Sequence, residues 1–266
     1  MPDTILIAGA GSGLGEGMAF GLAEAGHEVI ATVRTQDDAD ALQAKAKTRR
    51  IALRSQKLNV RNATDIDAIL PLDFDILVHN VAQGEGGPIS EIPLAILHSM
   101  FETNVFGPLS LTQKVARKWI AAGKRGKIVF VSSVSALDFP PVIAPYAASL
   151  HALEMISRAL HHELKPFGIQ VQTINPGPFG IGFNEGMIAN AFRWLDDSRN
   201  FTKRAALQAE ADAIIGTGAG LPDPAVVIQR MVEIIPARTG RYRNVYPEEM
   251  RKVIDICAAD AFYLEI

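Results

Sequence analysis

A glycine-rich turn between a short apolar segment and an amphipathic segment is the feature that most constrains the fold of this chain. The segment TILIAGA begins at Thr4 and continues into GSGLGEG, which places glycines at Gly9, Gly11, Gly13 and Gly15. Glycines in such a turn allow the backbone to approach a phosphate closely and allow a helix to pack tightly on a strand. The N-terminus of the following helix offers free N–H groups and the positive end of its dipole to a pyrophosphate. The turn therefore predicts a dinucleotide-binding βα unit.

Strand and helix patterns continue to alternate along most of the chain. Short, largely apolar runs recur and predict strands. These runs are EVIATV from Glu28, IALRSQKL from Ile51, DILVHN from Asp75, KIVFVSS from Lys127 and IQVQTIN from Ile169. Helical periodicity separates them over residues 13–26, 92–122 and 145–167. Nearly continuous apolar runs are typical of strands buried on both faces of a parallel sheet. We predict an α/β protein with one Rossmann-type domain over residues 1–266, a doubly wound parallel sheet with helices on both faces.

The regular alternation loosens after Pro176. Residues 178–220 read as one or two helices between glycine-rich hinges, and an insertion after the carboxyl end of a strand is where a substrate lid would lie. A plain helical excursion that completes the core or an interface is an equal alternative. The apolar residues that could line a substrate pocket, or belong to the core instead, are Phe179, Phe183, Met187, Phe192 and Trp194.

Composition excludes several classes of function. The formal net charge is −3, and charged residues make up 21% of the chain, so nothing favours a nucleic-acid or anionic-membrane partner. Cys257 is the only cysteine, which excludes an intrachain disulfide, and the six histidines lack the spacing of metal ligands. The sequence has no run of 18 apolar residues. We expect a cytoplasmic protein with no metal site and no membrane partner.

The end of the second predicted strand bears on the choice of cofactor. An acidic residue at this tip would bind the adenosine ribose hydroxyls and select NAD. Val33 and Arg34 occupy the region instead. An arginine can donate two charge-assisted hydrogen bonds to a 2′-phosphate, so we expect NADP(H) to be favoured over NAD(H).

Taken together, these and later motifs resemble the short-chain dehydrogenase/reductase family. The resemblance covers about residues 4–180, where the motifs occur in the family's order. Its parts are AGAGSGLG from Ala8, Asn59-Val60 after the third strand, His79-Asn80-Val81-Ala82 after the fourth, Asn104, Ser133, Tyr146 and Pro176-Gly177. The family resemblance implies hydride transfer between a nicotinamide and a small-molecule carbonyl or alcohol, and often a homodimer or homotetramer.

The resemblance also implies roles for individual residues. The catalytic set would be Tyr146, Ser133 and Asn104. The cofactor would be held by Gly9, Ser12, Gly13, Leu14, Gly15, Arg34, Asn59, Val60, Asn80, Pro176 and Gly177. A smaller departure is that Gly180 or Ile181 stands where a threonine often follows the P-G motif.

One departure from the family pattern bears directly on the chemistry. The family's Y-x-x-x-K motif would place a lysine four residues after Tyr146, and this sequence has Leu150 there. Residues four apart lie about 40° from each other on a helix, so both side chains point to one pocket. By resemblance, the lysine would hold the nicotinamide ribose, lower the tyrosine pKa and feed a proton relay. Leucine can do none of these, so we expect Tyr146 to titrate near its ordinary pKa of about 10.

The absence of a lysine at position 150 is expected to affect oxidation and reduction unequally. Alcohol oxidation needs tyrosinate as a general base, whereas carbonyl reduction needs neutral tyrosine as an acid, with Ser133 polarising the carbonyl. We therefore expect an NADP(H)-dependent enzyme that reduces slowly and oxidises very poorly. Two alternatives stay open at this point. The protein could be an NADP(H)-binding regulator or scaffold without redox activity, or it could use Tyr146 for non-redox, lyase-type chemistry.

Overall fold

The strands of the protein form one parallel sheet. The computed structural model describes residues 2–138, 140–214 and 221–260, and within these ranges seven strands are hydrogen-bonded in the order β3-β2-β1-β4-β5-β6-β7. The strands are β1 (Thr4–Ala8), β2 (Glu28–Val33), β3 (Arg54–Lys57), β4 (Ile76–His79), β5 (Lys127–Val131), β6 (Gln170–Pro176) and β7 (Arg243–Tyr246). This confirms the predicted single-domain, Rossmann-type parallel sheet.

Helices connect the strands and cover both faces of the sheet. They are α1 (Gly13–Glu24), α2 (Gln36–Arg49), α3 (Ala63–Ile69), α4 (Leu94–Phe101), α5 (Gly107–Ala121), α6 (Ala144–Leu164), α7 (Phe183–Ala191), α8 (Arg204–Ile214), α9 (Pro224–Ile234) and α10 (Met250–Asp260). None of the helices in the described ranges is both long enough and apolar enough to cross a membrane.

The core divides into two apolar clusters, one on each face of the sheet. Successive side chains of a strand point to opposite faces. In β1, Ile5 and Ile7 join the cluster that packs under α1, α2 and α9, and Leu6 and Ala8 join the one that packs under α5 and α6. Since both faces are covered, the central strands β1, β2, β4 and β5 are mostly apolar, as expected from the sequence, whereas the edge strand β3 (RSQK) is polar and only partly buried.

Two of the sequence-based element boundaries were too wide. The third strand covers only Arg54–Lys57 of the predicted run from Ile51. The long helix predicted over residues 92–122 is interrupted by one π-helical turn, Glu102–Phe106, between α4 and α5. Single π turns of this kind are frequent at functional sites, and this one contains Asn104.

The strand order explains where a ligand can bind. The chain proceeds from β1 outward to β3 and then returns to the other side of β1 to form β4. In sheets of this type, ligands bind in the crevice at the carboxyl ends of the strands, at the point where the order reverses. The glycine-rich turn after β1 and the segment after β4 meet at this point.

Candidate active site

The glycine-rich turn is packed so closely that side chains are excluded from part of it. Gly9 has φ of +93°, and a Cβ there would lie 2.8 Å from the backbone nitrogen of Val81. A Cβ at Gly15, in the first turn of α1, would overlap the Gly9 carbonyl oxygen. Asn80 Nδ2 donates a hydrogen bond to that same oxygen over 2.8 Å. Asn80 thus fixes the turn, and the turn brings α1 close to β1.

The N-terminus of α1 is open on the side that faces solvent. Ser12 is the N-cap residue, and its exposed hydroxyl makes no capping hydrogen bond to the helix. Gly13 is also exposed, whereas Leu14 is buried and anchors the helix in the core. Ile181 approaches Gly13, since a Cβ at Gly13 would lie 3.6 Å from Ile181 Cδ1. The N–H groups of the first turn and the exposed Ser12 hydroxyl are donors that suit a phosphate.

The residues predicted to contact the adenosine end lie at the next two strand ends. Arg34 directly follows β2, is exposed, and makes no ion pair with any of the described residues. Asn59 follows β3, and its Oδ1 accepts a hydrogen bond from the Arg61 N–H over 3.0 Å. Val60 is buried, and a Cβ at Gly107 would contact it. Arg34 is therefore free for a ligand, whereas the side chain of Val60 belongs to the core.

Ser133 and Tyr146 come together although they lie on different elements. Ser133 follows β5, and its Oγ accepts a hydrogen bond from Ser135 N and donates a weak one to the Pro176 carbonyl at 3.4 Å. Tyr146 lies in the first turn of α6 and is 6% exposed. Burial raises the pKa of Tyr146 well above its ordinary value, and a hydrogen bond with Ser133 opposes the shift. The pKa near 10 expected from sequence was wrong, because burial of the phenol was not foreseen.

Leu150, which the resemblance places where a lysine is expected, lies one helical turn after Tyr146 and brings no polar group to the site. It is 2% exposed and belongs to the same apolar cluster as Tyr146. Among the described residues no cation contributes to the pKa of Tyr146, since burial and Ser133 are its two causes. No neighbouring charge therefore replaces the missing ammonium in this part of the chain.

Asn104 holds the π-helical turn to two other segments. Its Oδ1 accepts a hydrogen bond from Gln83 N at 2.7 Å, and its Nδ2 donates to Gln83 O at 2.9 Å. The same Nδ2 donates to Ser149 Oγ at 3.0 Å, and Ser149 in turn donates to the Tyr146 carbonyl at 2.7 Å. Asn104 is therefore a positioning residue for α6. Neither Gln83 nor Ser149 was identified from the sequence, because no motif links them to Asn104.

The insertion over residues 178–220 lies partly against Tyr146. It contains α7 and α8, and residues 215–220 fall outside the described ranges. The Phe183 ring packs edge-on against Tyr146 with centroids 5.6 Å apart. Helix α7 is tied to the segment after β4, because Gly86 N donates to Met187 O at 3.0 Å and Asn190 Nδ2 donates to Gly84 O at 2.9 Å. Phe183 therefore covers the site, whereas Phe179 and Met187 are core residues.

Pro176 and Gly177 end β6 next to this group. Gly177 N donates a hydrogen bond to Tyr246 O over 2.7 Å, which fixes the segment to the end of β7. The Pro176 carbonyl faces Ser133, as described above. The P-G pair is thus held between Ser133 and the edge strand β7 of the sheet.

Comparison with known proteins agrees with this geometry. Residues 3–189 match the family described as short chain dehydrogenase. The chain belongs to this family. It is 35% identical over 182 residues to the uncharacterized oxidoreductase YusZ of Bacillus subtilis. The aligned region covers 65% of this chain and 64% of that protein.

Two further proteins of the family resemble the chain over more of its length. The NADPH-dependent 3-dehydrocapnine reductase of Ornithobacterium rhinotracheale is 29% identical over 235 residues, or 78% of this chain and 80% of that protein. A crystal structure of a short-chain dehydrogenase from Streptomyces avermitilis superposes with a TM-score of 0.78 at 23% identity, over 99% of this chain and 94% of that one. The chain is accordingly a member of an NAD(P)-dependent oxidoreductase family that acts on CH–OH and C=O groups.

Proposed function

We propose that this protein is an NADP(H)-dependent reductase of small-molecule carbonyl compounds that is poor at the reverse oxidation. One observation carries the proposal: Tyr146 is buried beside Ser133, and no cation within the described part of the chain acts on its hydroxyl. A tyrosine in this setting stays neutral across the physiological pH range. It can give a proton to a developing alkoxide, but it is a very weak base for the reverse step.

The residues present fit the phosphate-bearing half of a dinucleotide. Gly9, Ser12, Gly13, Leu14 and Gly15 would hold the pyrophosphate at the open N-terminus of α1, where Asn80 keeps the turn in shape. Arg34 would hold a 2′-phosphate, the backbone at Asn59 and Val60 would border the adenine, and Pro176 and Gly177 would border the nicotinamide. When bound, the cofactor supplies the hydride. Support for NADP(H) comes from the free guanidinium of Arg34 and from the relative named as NADPH-dependent.

Three side chains of the chain itself would handle the substrate carbonyl. The Ser133 hydroxyl can donate a hydrogen bond to the carbonyl oxygen, which favours negative charge on that oxygen in the transition state. Tyr146 then donates its proton to the same oxygen, and this proton must be replaced from solvent. Phe183 shields the phenol from bulk water and gives the pocket an apolar wall.

We also propose that the protein forms a homo-oligomer through α5 and α6. These helices border a groove of about 410 Å³ on the outer surface, lined mainly by apolar side chains such as Leu109, Ile120 and Ile156. Met155 of α6 is 65% exposed. Burial of such a surface against a second copy would remove apolar area from water. The cytoplasmic location stays a prediction of the sequence.

The proposed function predicts unequal turnover in the two directions. With a panel of aliphatic and aromatic ketones and aldehydes, we expect loss of the nicotinamide absorbance of NADPH, and with the corresponding alcohols and NADP⁺ we expect a rate lower by at least about a hundredfold at neutral pH. The variant Tyr146→Phe is the control, because it removes the proton donor and keeps the ring. Equal rates in both directions would contradict the proposal, and binding of NADPH without its oxidation on any substrate would favour a non-redox protein.

The choice of cofactor can be tested at Arg34. Replacement of Arg34 by alanine removes the charge-assisted hydrogen bonds to a 2′-phosphate, so we expect the Kd for NADPH to rise about ten- to a hundredfold. The Kd for NADH, which lacks this phosphate, serves as the internal control and should change little. Fluorescence titration of the reduced nucleotides measures both. Parallel weakening of the two nucleotides would show that Arg34 does not recognise the phosphate.

A further inference from the structure

We propose that the protein has a second ligand site, outside the active site, that binds a small polyanion carrying two or more phosphate or carboxylate groups. The site is a cavity of about 230 Å³ at the edge of the sheet, between α9, β7 and the beginning of α10. Four arginines contribute to its lining, and they are Arg230, Arg241, Arg243 and Arg251. The one acidic residue of the lining is Glu248.

The overall charge of the protein does not explain why four arginines line this cavity. The protein has 26 lysines and arginines and 29 aspartates and glutamates, so a general excess of positive charge does not explain it. Two of the arginines have acidic partners, since Arg230 pairs with Glu233 and Arg243 pairs with Glu154. The other two, Arg241 and Arg251, are exposed and have no ion pair within residues 2–138, 140–214 and 221–260. The lining therefore carries more positive than negative charge.

The apolar walls of the cavity strengthen the attraction between its arginines and an anion. Its inner side is formed by Ile174, Val227 and Ile234, which belong to or pack on the apolar core. Apolar walls lower the local dielectric, so the attraction of an anion to the arginines is stronger there than on an open surface. Guanidinium groups present paired N–H donors that match the oxygens of phosphate and carboxylate groups. Arg241 and Arg251, which have no acidic partner among the described residues, would supply the charges that a bound polyanion compensates.

One of the four arginines also takes part in the internal structure of the active site. Arg243 Nη2 donates to Glu154 Oε2 at 2.8 Å, and Glu154 Oε1 accepts from Asn175 Nδ2 at 2.6 Å. Asn175 Nδ2 also donates to the Ser133 carbonyl at 3.0 Å. Removal of Arg243 would leave the carboxylate of Glu154, which is 5% exposed, buried without its cation. The exposed Arg251 and Arg241 are for this reason the informative positions for a test.

Calorimetric titration of the free protein with inorganic pyrophosphate and, separately, with citrate tests the site. We expect a Kd below about 1 mM for at least one probe, and the preferred probe tells whether the natural group is a phosphate or a carboxylate. Arg251→Gln and Arg241→Gln should each weaken binding by about tenfold or more, since each removes charge-assisted hydrogen bonds. Arg54→Gln is the matched control, because Arg54 is an exposed arginine on β3, at the opposite edge of the sheet. It should change the Kd by less than about twofold.

Three results would overturn the proposal. The first is absence of binding by either probe at about 10 mM. The second is an equal rise in the Kd of the probe in Arg251→Gln and Arg54→Gln, which would mean that only the net charge of the protein matters and not the cavity. The third is loss of all binding when NADP⁺ is added, with no effect of Arg251→Gln, because the pyrophosphate would then occupy the glycine-rich turn. The measurement involves no hydride transfer, so its outcome is independent of whether the proposed reductase activity exists.

Discussion

Replacement of Leu150 by lysine is expected to raise the rate of alcohol oxidation at neutral pH by up to about a thousandfold. A positive charge about 4 Å from the phenolic oxygen contributes on the order of 4 kcal/mol at an effective dielectric of 20, or about 3 pKa units. Burial holds the pKa of Tyr146 above its ordinary value in the wild-type protein. An ammonium at position 150 would oppose this shift and increase the fraction of tyrosinate at every pH below the new pKa.

The same variant should affect carbonyl reduction much less. Neutral tyrosine is the form that reduction requires, and this form already predominates in the wild-type protein. A more acidic phenol is a better proton donor, so we expect a gain on the order of tenfold. The change in the ratio of oxidation to reduction is therefore the diagnostic quantity, and initial rates with NADP⁺ and NADPH in the two directions measure it.

Leu150→Met is the matched control for this prediction. Methionine has an unbranched side chain of comparable volume and no charge, so it should leave both rates near those of the wild-type protein. Circular dichroism of each variant checks that the buried lysine is tolerated. If Leu150→Met raised oxidation as much as Leu150→Lys, packing rather than charge would control the tyrosine. If Leu150→Lys raised both directions equally, Tyr146 would not be the group that changes its protonation.

Acidification is expected to destabilise the protein through His79, the last residue of β4. His79 is 2% exposed, and burial lowers its pKa from 6.5 to about 3. Its Nε2 lies 2.8 Å from Thr112 Oγ1, whereas Nδ1 has no partner among the described residues, so a proton on Nδ1 would have no acceptor. The unfolded chain takes up this proton below pH 6.5 and the folded protein does not. The free energy of unfolding therefore falls as the pH drops from 6.5 toward 3.

His79→Asn tests this explanation with a residue that cannot titrate. Two pH units below the unfolded pKa, the histidine costs about 3 kcal/mol, so the wild-type protein should lose about that much more stability than the variant between neutral pH and about pH 4.5. Asparagine is too short to replace the contact of His79 Nε2 with Thr112 and loses the stacking on Phe130, but these losses are the same at every pH and do not change the difference in slope. Urea unfolding at a series of pH values gives the two curves. Parallel curves would mean that His79 does not cause the acid sensitivity.

Local features were the ones that the sequence predicted well. The glycine-rich turn, the alternation of strands with helices and the interval from Ser133 to Tyr146 are all properties of neighbouring or regularly spaced residues. Each of them depends on the backbone and on its periodicity, and the parallel sheet and the closeness of Ser133 to Tyr146 agree with them. The roles assigned to the individual site residues remain predictions.

Features assembled from distant parts of the chain could not be predicted. The hydrogen bonds of the Asn104 amide are an example, since its partners Gln83 and Ser149 are separated from it by 21 and 45 positions, and its place in the catalytic set stays a prediction. The arginine cavity combines residues of α9, β7 and α10, and no motif links them. Such groups depend on how elements pack, and packing is not encoded in any short pattern.

The sequence by itself determined the fold class, the family and the absence of a lysine four residues after Tyr146, because each of these follows from residue type at fixed spacing. Only the tertiary structure decided how strongly that absence acts. The pKa of a phenol depends on how much water and charge surround it, and both are set by the packing of α6 against the sheet and of Phe183 over the ring. Because the phenol is buried and no cation of the described residues acts on it, the pKa of Tyr146 is raised, which favours the neutral phenol that the proposed role as an acid requires.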